Sequence, residues 1–442
     1  LTQAALALTA WIVLTNVRAD PVHGFNGMVI DDNMGDLLEL TAIGVVSLMM
    51  FYGRRYFTVR GIFTGETFVL VLFALLGMIV MISAGSFLTL YLGLELQALA
   101  LYALVALHRD RRGPAEAAMK YFVLGALASG MLLYGMSMIY GATGSLDLDR
   151  VAQASLTATS GNRLLLLFGL VFVVSAIAFK LGAVPYHMWI PDVYEGAPTP
   201  ITLLIGTAPK LAAFAFALRM LGGALKGLEY DWQGMLIVLS LLSMVLGNVI
   251  AISQTNIKRM LGYSTIANMG YMLMGFLAAD RNGFSAAMFY TVAYVMTSAA
   301  SFGVVLLLSR AGFECDRIDD FKGLNQRSPW WAFIMLLVMF SLAGVPPTIG
   351  FYAKFSVIEA AVNQGFVWLA VVAVMASLVG AFYYLRVVKV MYFDEPVDNS
   401  PIDSRADARV LLSANGLALL VLGILPQPLM GLCAIALTQS HF

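Results

Sequence analysis

Thirteen long apolar segments set the strongest limit on how this chain of 442 residues can fold. A lipid bilayer has a hydrocarbon core about 30 Å thick, which a helix of roughly 20 apolar residues can cross. The joints between the segments are short and carry turn residues. The segments lie at approximately residues 1–16, 36–53, 65–84, 86–107, 118–141, 163–190, 200–222, 234–253, 257–279, 283–309, 329–361, 366–393 and 408–435.

The composition agrees with a membrane protein. Only 12% of the residues are charged and 60% are hydrophobic, whereas soluble proteins carry about 25% charged residues. Backbone groups in lipid must find hydrogen-bond partners within their own segment, which favours helices, and the alternating strands of a barrel are not seen. We therefore predict an all-α, polytopic transmembrane helix bundle with about 13 helices. Residues 22–30 alternate around two glycines and predict a small hairpin outside the lipid.

Charge and cysteine content exclude other classes. The formal net charge is zero, and a nucleic-acid partner would need a clustered basic face. The two cysteines, Cys315 and Cys433, are too few and too far apart for a zinc site or an iron–sulfur cluster. We interpret them as ordinary thiols.

The placement of basic residues predicts an orientation. One set of alternate joints carries seventeen of the 26 lysine and arginine residues, and the other set carries six. Because cytoplasmic loops are enriched in lysine and arginine, the first set is assigned to the cytoplasm. The C-terminus then lies on the opposite side of the membrane.

Three lysines and one glutamate lie deep inside the apolar segments, namely Lys180, Lys210, Lys354 and Glu95. A charged residue at the centre of a membrane helix costs about 2.5–3.5 kcal/mol on insertion scales, and such residues are usually functional. The alternative is snorkelling, in which a long side chain reaches the headgroups. Lys210 lies about ten residues into its segment, hence about 15 Å deep, and the short stem of Glu95 cannot reach far. We interpret both as functional.

Two of the longest segments, 163–190 and 329–361, each contain a lysine and proline, at Pro185 and at Pro346. Proline removes a backbone donor and clashes with the preceding turn, so each helix should break within the membrane. Broken helices at charged positions mark ion sites in transporters. The alternative is a plain proline kink.

Buried lysine suits proton transfer. Burial weakens the affinity of lysine for its proton and a nearby carboxylate restores it, whereas arginine stays charged throughout. His187 is a candidate relay, although a structural histidine with a hydrogen bond is an equal alternative. Glu39 lies near a segment end and is expected at the membrane interface.

Several motifs carry a resemblance. Residues 93–96 (Gly-Leu-Glu-Leu), 179–192 and 254–264 resemble the antiporter-like subunits of respiratory complex I, the NADH-quinone oxidoreductase, which in turn resemble subunits of cation/proton antiporters. The run at 192–200, Asp-Val-Tyr-Glu-Gly-Ala-Pro-Thr-Pro, is more similar to the complex I branch. The resemblance covers essentially the whole chain.

The resemblance implies a domain organisation. Two inverted five-helix repeats, each with one broken helix, would span residues 65–222 and 234–393. N-terminal helices would occupy residues 1–64 and a C-terminal helix residues 408–435. The family usually has fourteen helices, so the first family helix is expected to be absent here.

It also implies roles for the buried charges. Glu95 would be the carboxylate that pairs with Lys180, Lys210 the central relay lysine and Lys354 the lysine on the exit side. Family members often carry histidine where this chain has Asn268, which cannot titrate.

The implied function is proton translocation in a bacterial inner membrane, driven by electron transfer from NADH to quinone on other subunits. FMN and iron–sulfur clusters are expected on those partner subunits, with no cofactor on this chain. The expected partners are other membrane subunits of the complex and phospholipids, with quinone bound elsewhere in the complex and the C-terminus on the periplasmic side.

Two other interpretations remain open. One is a subunit of a multi-subunit cation/proton antiporter without redox chemistry. The other is a membrane scaffold whose buried charges only hold helices together, which predicts that neutralising them disrupts assembly and not only pumping.

Overall fold

The computed structural model describes residues 1–18, 20–108, 112–398, 400, 402, 404–438 and 440. This part of the chain is almost entirely helical. Its α-helices are α1 Thr2–Asn16, α2 Asn33–Val59, α3 Gly65–Ile82, α4 Phe87–Val105, α5 Arg112–Thr143, α6 Leu148–Leu156, α7 Ser160–Leu181, α8 Trp189–Gly196, α9 Thr199–Gly206, α10 Ala208–Ala217, α11 Glu229–Ile252, α12 Ile257–Phe276, α13 Arg281–Leu308, α14 Leu324–Arg327, α15 Pro329–Ala343, α16 Ile349–Asn363, α17 Val367–Phe393, α18 Ala406–Ile424 and α19 Gln427–Thr438.

These helices confirm the predicted membrane bundle. Within the described residues, ten helical stretches are long and apolar enough to cross a membrane, and the apolar helices α15 and α19 are shorter. The joint between α5 and α7 contains α6, a short amphipathic helix that the apolar pattern did not predict. Its apolar face packs against a π-helical turn at Leu218–Ala224.

The predicted hairpin is confirmed. Strands β1 Val22–Gly24 and β2 Val29–Asp31 pair antiparallel. The hairpin lies over the turn between α3 and α4, where the Ile30 amide donates to the Ser83 carbonyl. Asp32 follows directly and caps α2, because its carboxylate accepts a hydrogen bond of 2.8 Å from the Gly35 amide. The hairpin therefore marks one face of the bundle, called the hairpin side below.

Both predicted proline breaks are confirmed. The chain leaves α7 at Gly182 (φ 81°) and resumes as α8, and it leaves α15 at Gly344 (φ 84°) and resumes as α16. Both glycines are in the left-handed region, which other residues rarely adopt, so each ends a helix abruptly. The first halves of the two broken helices therefore end with carbonyl groups that have no partner within their own helix, inside the bundle.

Two more of the predicted apolar segments are interrupted. Segment 200–222 is divided between α9 and α10 at Thr207, whose ψ of −91° is not helical. Segment 408–435 is divided between α18 and α19 near Pro426. The two halves of that last segment do not pack side by side, so the chain does not turn back there. Proline one residue after the last helical turn accounts for this second interruption.

The core of the bundle contains the interrupted helix α9–α10. Within Thr199–Ala224, every residue of its most apolar stretch is buried, and the corresponding stretch of α13 is 94% buried. Lys210 lies in the first of these helices, so the sequence places a charged group in the most enclosed part of the protein.

Candidate functional site

Lys210 is held at the end of a helix. Its side-chain nitrogen donates hydrogen bonds to the carbonyl oxygens of Leu181, at 2.8 Å, and Lys180, at 3.2 Å. These carbonyls belong to the last turn of α7, just before the chain breaks at Gly182. The residue is only 1% exposed. A helix C-terminus carries partial negative charge, which stabilises an ammonium group there.

Lys354 is held in the same way. Its side-chain nitrogen donates to the carbonyl oxygens of Leu342 and Ala343, each at 2.9 Å, and lies 3.1 Å from the Ser377 hydroxyl. The two carbonyls end α15, just before its break. The nitrogen also lies 4.8 Å from the centre of the Tyr271 ring, a favourable cation–π distance.

The two lysines thus bind equivalent groups, the last carbonyls of the first half of each broken helix. Lys354 comes from α16, the second half of its own broken helix. Lys210 comes from α10, the neighbour of the broken helix α7–α8. The two sites share a chemistry, a single ammonium group on the free carbonyls of a helix end, that the sequence spacing does not reveal.

Glu95 and Lys180 lie near each other without a direct ion pair. The Glu95 carboxylate is within electrostatic range of the Lys180 ammonium group, and Lys180 in turn is within range of Lys210. One Glu95 oxygen is buried and has no hydrogen-bond partner among the described residues. The structure therefore brings Glu95, Lys180 and Lys210 together, whereas Lys354 forms no direct hydrogen bond or ion pair with any of the three in the part of the chain described.

His187 lies in the segment that joins α7 and α8 and is half-buried. Its Nδ1 atom is buried and has no hydrogen-bond partner among the described residues. The neighbouring Tyr186 hydroxyl is 2.7 Å from the Ser175 hydroxyl. His187 remains a candidate relay because of its position at the break.

Asn268 occupies a network of neutral groups. Its side-chain oxygen accepts a hydrogen bond of 2.7 Å from the Tyr290 hydroxyl. Its amide nitrogen donates to the Ser264 carbonyl at 2.8 Å and lies 3.4 Å from the Tyr384 hydroxyl. Ser264 and Tyr384 are themselves joined by a hydrogen bond of 2.5 Å. The amide is therefore fully engaged in holding hydroxyl groups.

Other buried hydroxyls near Lys354 were missed from the sequence. Tyr290, Tyr294 and Thr297 lie about one turn apart on α13 and line the same small cavity as Lys354. The sequence does carry a signal for them, because residues with hydroxyl groups spaced three and four apart inside an apolar segment share one face of a helix. It was overlooked because neutral hydroxyls cost little in a membrane helix.

Two charged residues on the hairpin side are buried. Glu39 is 9% exposed and accepts a hydrogen bond of 2.6 Å from the hydroxyl of Ser83, which follows the end of α3. The interfacial position of Glu39 stays a prediction. Arg219 is 3% exposed and forms two hydrogen bonds with the Asp32 carboxylate, at 3.0 and 3.2 Å.

A polar cavity of about 450 Å³ opens on the opposite side, between the ends of α5, α8 and α12. Asp192 accepts from Lys120 at 2.8 Å and from Arg259 at 2.7 Å, which ties these helices together. Lys258 is 4% exposed and donates to the Ala197 carbonyl at 2.9 Å. This cavity, which is lined by charged side chains, therefore reaches the end of α8.

No group of three or more histidine, cysteine, aspartate or glutamate side chains that could hold a metal ion occurs among the described residues. Cys315 and Cys433 are both buried as free thiols.

Comparison with known proteins gives the family. A family model described as NADH:quinone oxidoreductase/Mrp antiporter, TM matches residues 84–380. NADH-quinone oxidoreductase subunit N of Thiobacillus denitrificans is 59% identical over 440 residues, which cover 100% of this chain and 91% of that protein. The chain belongs to this subunit N family.

Solved structures agree with that assignment. A chain of respiratory complex I from Thermus thermophilus with bound aureothin superposes with a TM-score of 0.84 at 32% identity, covering 98% of this chain and 93% of that one. A chain of the Mrp complex from Dietzia gives a TM-score of 0.83 at 22% identity, covering 99% and 91%. The second likeness shows a common fold.

Proposed function

We propose that this chain is the proton-translocating membrane subunit of an NADH-quinone oxidoreductase. The observation that carries the proposal is the position of Lys210, a fully buried lysine at the end of a broken helix in the core of the bundle. Electron transfer from NADH to quinone takes place on other subunits of the complex, and this chain moves protons in response.

Lysine at these positions supports proton transfer. Lys210 and Lys354 each face backbone carbonyls and no carboxylate within hydrogen-bond distance in the described structure. A lysine without a paired carboxylate can give up its proton inside a low-dielectric interior, whereas arginine could not. Glu95 would act as the movable partner of Lys180, Lys210 as the central relay, Lys354 as the exit-side lysine, and His187 as a further relay.

The remaining assignments complete the proposal. FMN and iron–sulfur clusters belong to partner subunits, and this chain contacts other membrane subunits and phospholipids, with quinone bound elsewhere. The chain is a multi-pass protein of a bacterial inner membrane. The excess of basic residues in one set of joints supports a periplasmic C-terminus. Residues 65–222 and 234–393 form two inverted repeats, each containing one of the two proline breaks.

The alternative is a cation/proton antiporter subunit without redox chemistry, because the fold is shared with the Mrp complex chain. The 59% identity to a subunit N protein favours the redox complex. Gentle extraction of the native complex separates the two. A purified complex that lacks the absorption of flavin and of iron–sulfur clusters would contradict the first proposal.

The central test is Lys210→Met in the assembled complex, reconstituted into vesicles. We expect proton pumping to be abolished or sharply reduced while assembly survives, because the change removes a buried charge and leaves no charged partner behind. Proton uptake is normalised to the amount of assembled complex. Wild-type pumping would refute the relay role, and loss of assembly would favour the scaffold interpretation.

Lys226→Met is the matched control. Lys226 lies in the 3₁₀ turn after the same helix and is exposed. Removing its charge should leave both assembly and pumping unchanged, which would show that the effect at Lys210 depends on burial and position.

A further inference from the structure

Three buried hydroxyl groups lie between the regions of Lys210 and Lys354. They belong to Tyr194 on α8, Thr265 on α12 and Tyr294 on α13, and these residues are 0%, 1% and 6% exposed. The Tyr294 hydroxyl donates to the Thr265 hydroxyl at 2.7 Å. The Tyr194 hydroxyl lies next to both but forms no well-shaped hydrogen bond within the described part of the chain. A fully buried hydroxyl without a settled partner is costly and calls for an explanation.

The Tyr194 hydroxyl reaches the helix that carries Lys210. A Cβ atom added to Gly206 would lie 3.2 Å from that hydroxyl oxygen, so the ring approaches the Gly206 backbone closely. Gly206 is the last residue of α9, directly before the interruption at Thr207 and four residues before Lys210. The Tyr194 hydroxyl thus lies where the backbone hydrogen bonds between α9 and α10 are interrupted.

At the other end of this group of three hydroxyls, Tyr294 lies beside the same cavity as Lys354. A cavity of about 10 Å³ is bounded by Tyr294, Thr297, Ser341 and Lys354, among others. The hydroxyls of Thr297 and Ser341 lie 3.0 Å apart at its wall. Roughly 10–15 Å³ and two to four polar partners are what one buried water needs. The cavity therefore fits a single water molecule between the Tyr294 hydroxyl and the Lys354 amine.

Asn268 borders the same cavity but does not suit proton transfer. Its oxygen accepts from Tyr290 and its nitrogen donates to Ser264, so both ends of the amide are engaged. An amide also cannot gain and lose a proton at moderate pH. A hydroxyl group can pass a proton on, because its oxygen accepts one proton and releases the proton that it held before.

We propose that water at the interruption between α9 and α10, the hydroxyls of Tyr194, Thr265 and Tyr294, and one water in the cavity beside Lys354 carry the proton between Lys210 and Lys354. This proposal rests on the proposed function and names the groups that join its two lysines. The Lys210 ammonium group loses a proton and becomes an amine, while the Lys354 amine gains one and becomes an ammonium group. At each oxygen one O–H bond forms as another breaks, and the hydroxyls then rotate back. No electrons are transferred.

The test uses Tyr194→Phe and Tyr294→Phe in the whole complex, reconstituted into vesicles. Phenylalanine keeps the packed ring and removes only the hydroxyl. Tyr194→Phe removes a hydroxyl that lacks a settled partner, so folding should be unaffected. We expect each variant to lower the initial rate of proton uptake per assembled complex about tenfold or more, the scale of a lost proton-transfer group.

Tyr383→Phe is the matched control. Tyr383 is 0% exposed and its hydroxyl donates to Asn248 at 2.9 Å, outside the proposed route. Its loss should leave pumping near the wild-type rate. Equal losses in all three variants would overturn the proposal, because they would reflect a general need for buried hydroxyls.

The double variant Tyr194→Phe/Tyr294→Phe separates transport from structure. Two groups in series on one route should give a double variant no slower than the slower single variant, whereas independent structural defects multiply. A multiplied loss would overturn the relay, and so would wild-type pumping in both single variants. If those single variants pump normally while Lys210→Met does not, the proposed function stands and only this route fails.

Discussion

The side-chain nitrogen of Lys210 lies 2.8 Å from the carbonyl oxygen of Leu181, at the broken end of α7. A helix end with free carbonyls normally turns to water or to a capping group. Here a lysine from the neighbouring helix takes that place inside the membrane. The contact joins the helix break and the buried charge, two features that were recognised separately in the sequence, into one site.

Lys210→Arg should abolish or strongly reduce pumping although it conserves the charge. A guanidinium group can still bind the carbonyl oxygens of Lys180 and Leu181, but it does not release its proton at working pH. Proton uptake by vesicles that contain the assembled complex measures this. Lys226→Arg, at an exposed position on the same stretch of chain, is the control and should pump normally. Normal pumping by Lys210→Arg would contradict the release of a proton from this side chain.

Glu95→Gln should reduce pumping and leave the complex assembled. Glutamine keeps the shape of the side chain but removes the negative charge near Lys180, so the lysine loses the group that favours its charged form. Glu66→Gln, at an exposed position at the start of α3, is the control. The comparison is the ratio of protons moved to NADH oxidised. An unchanged ratio in Glu95→Gln would contradict the role of Glu95 as the movable partner of Lys180.

Ser377→Ala should have a smaller effect than Lys354→Met. The serine hydroxyl is one of three partners of the Lys354 nitrogen, and the two carbonyl partners remain. A hydrogen bond to a charged group contributes about 1.5–3 kcal/mol, so pumping should fall but stay measurable, whereas Lys354→Met should abolish it. Complete loss of pumping in Ser377→Ala, with normal assembly, would mean that the hydroxyl itself transfers the proton.

Arg219→Met should destabilise the complex by about 3–5 kcal/mol, because it leaves the buried Asp32 carboxylate without its partner. Thermal unfolding of the purified complex measures the loss. Arg163→Met is the control, since the Arg163–Asp231 pair is largely exposed and such pairs contribute about 0–1 kcal/mol. The double change of Arg219→Met with Asp32→Asn should recover part of the stability, and equal losses at both pairs would contradict the role of burial.

Asp398 predicts a pH effect outside the membrane. Burial alone would raise the pKa of its carboxyl, but hydrogen bonds from Ser400 and Arg310 outweigh it and hold the pKa well below its usual range. A lowered pKa adds stability above the unfolded value of about 3.9, and this stability is lost as the pH falls through the native pKa. The difference in melting temperature between wild type and Asp398→Asn should be constant above about pH 5 and shrink in more acidic buffer. A difference that grows on acidification would contradict this sign.

Much of the fold follows from the sequence. Segment lengths and apolar content predict the crossings, because a bilayer accepts only helices of about 20 residues. Gly182 and Gly344, with proline at Pro185 and Pro346 a few residues later, predict the two breaks because these residues end helices through local geometry. The interruption at Thr207 also has a local signal, because Gly206 precedes it and Pro209 follows two residues later, where proline removes a backbone donor and clashes with the preceding turn.

The site is less predictable than the fold. The buried positions of Lys210 and Lys354 follow from the apolar context, but their partners do not. Backbone carbonyls are present at every residue, so no sequence pattern marks those of Leu181 or Ala343 as ligands. The buried state of Glu39 was missed for a similar reason, because the Ser83 hydroxyl that accommodates it comes from another helix.

The hydrogen-bond partners of Lys354 also determine what happens to the side chain once its proton has left. A neutral amine has two N–H groups and one lone pair. The carbonyl oxygens of Leu342 and Ala343 can accept one hydrogen bond from each N–H group. The lone pair is then directed to a third side, where Ser377 can reverse its role and donate. The lysine can therefore change its charge without changing its place, and the cycle needs no swing of a long side chain through an apolar interior.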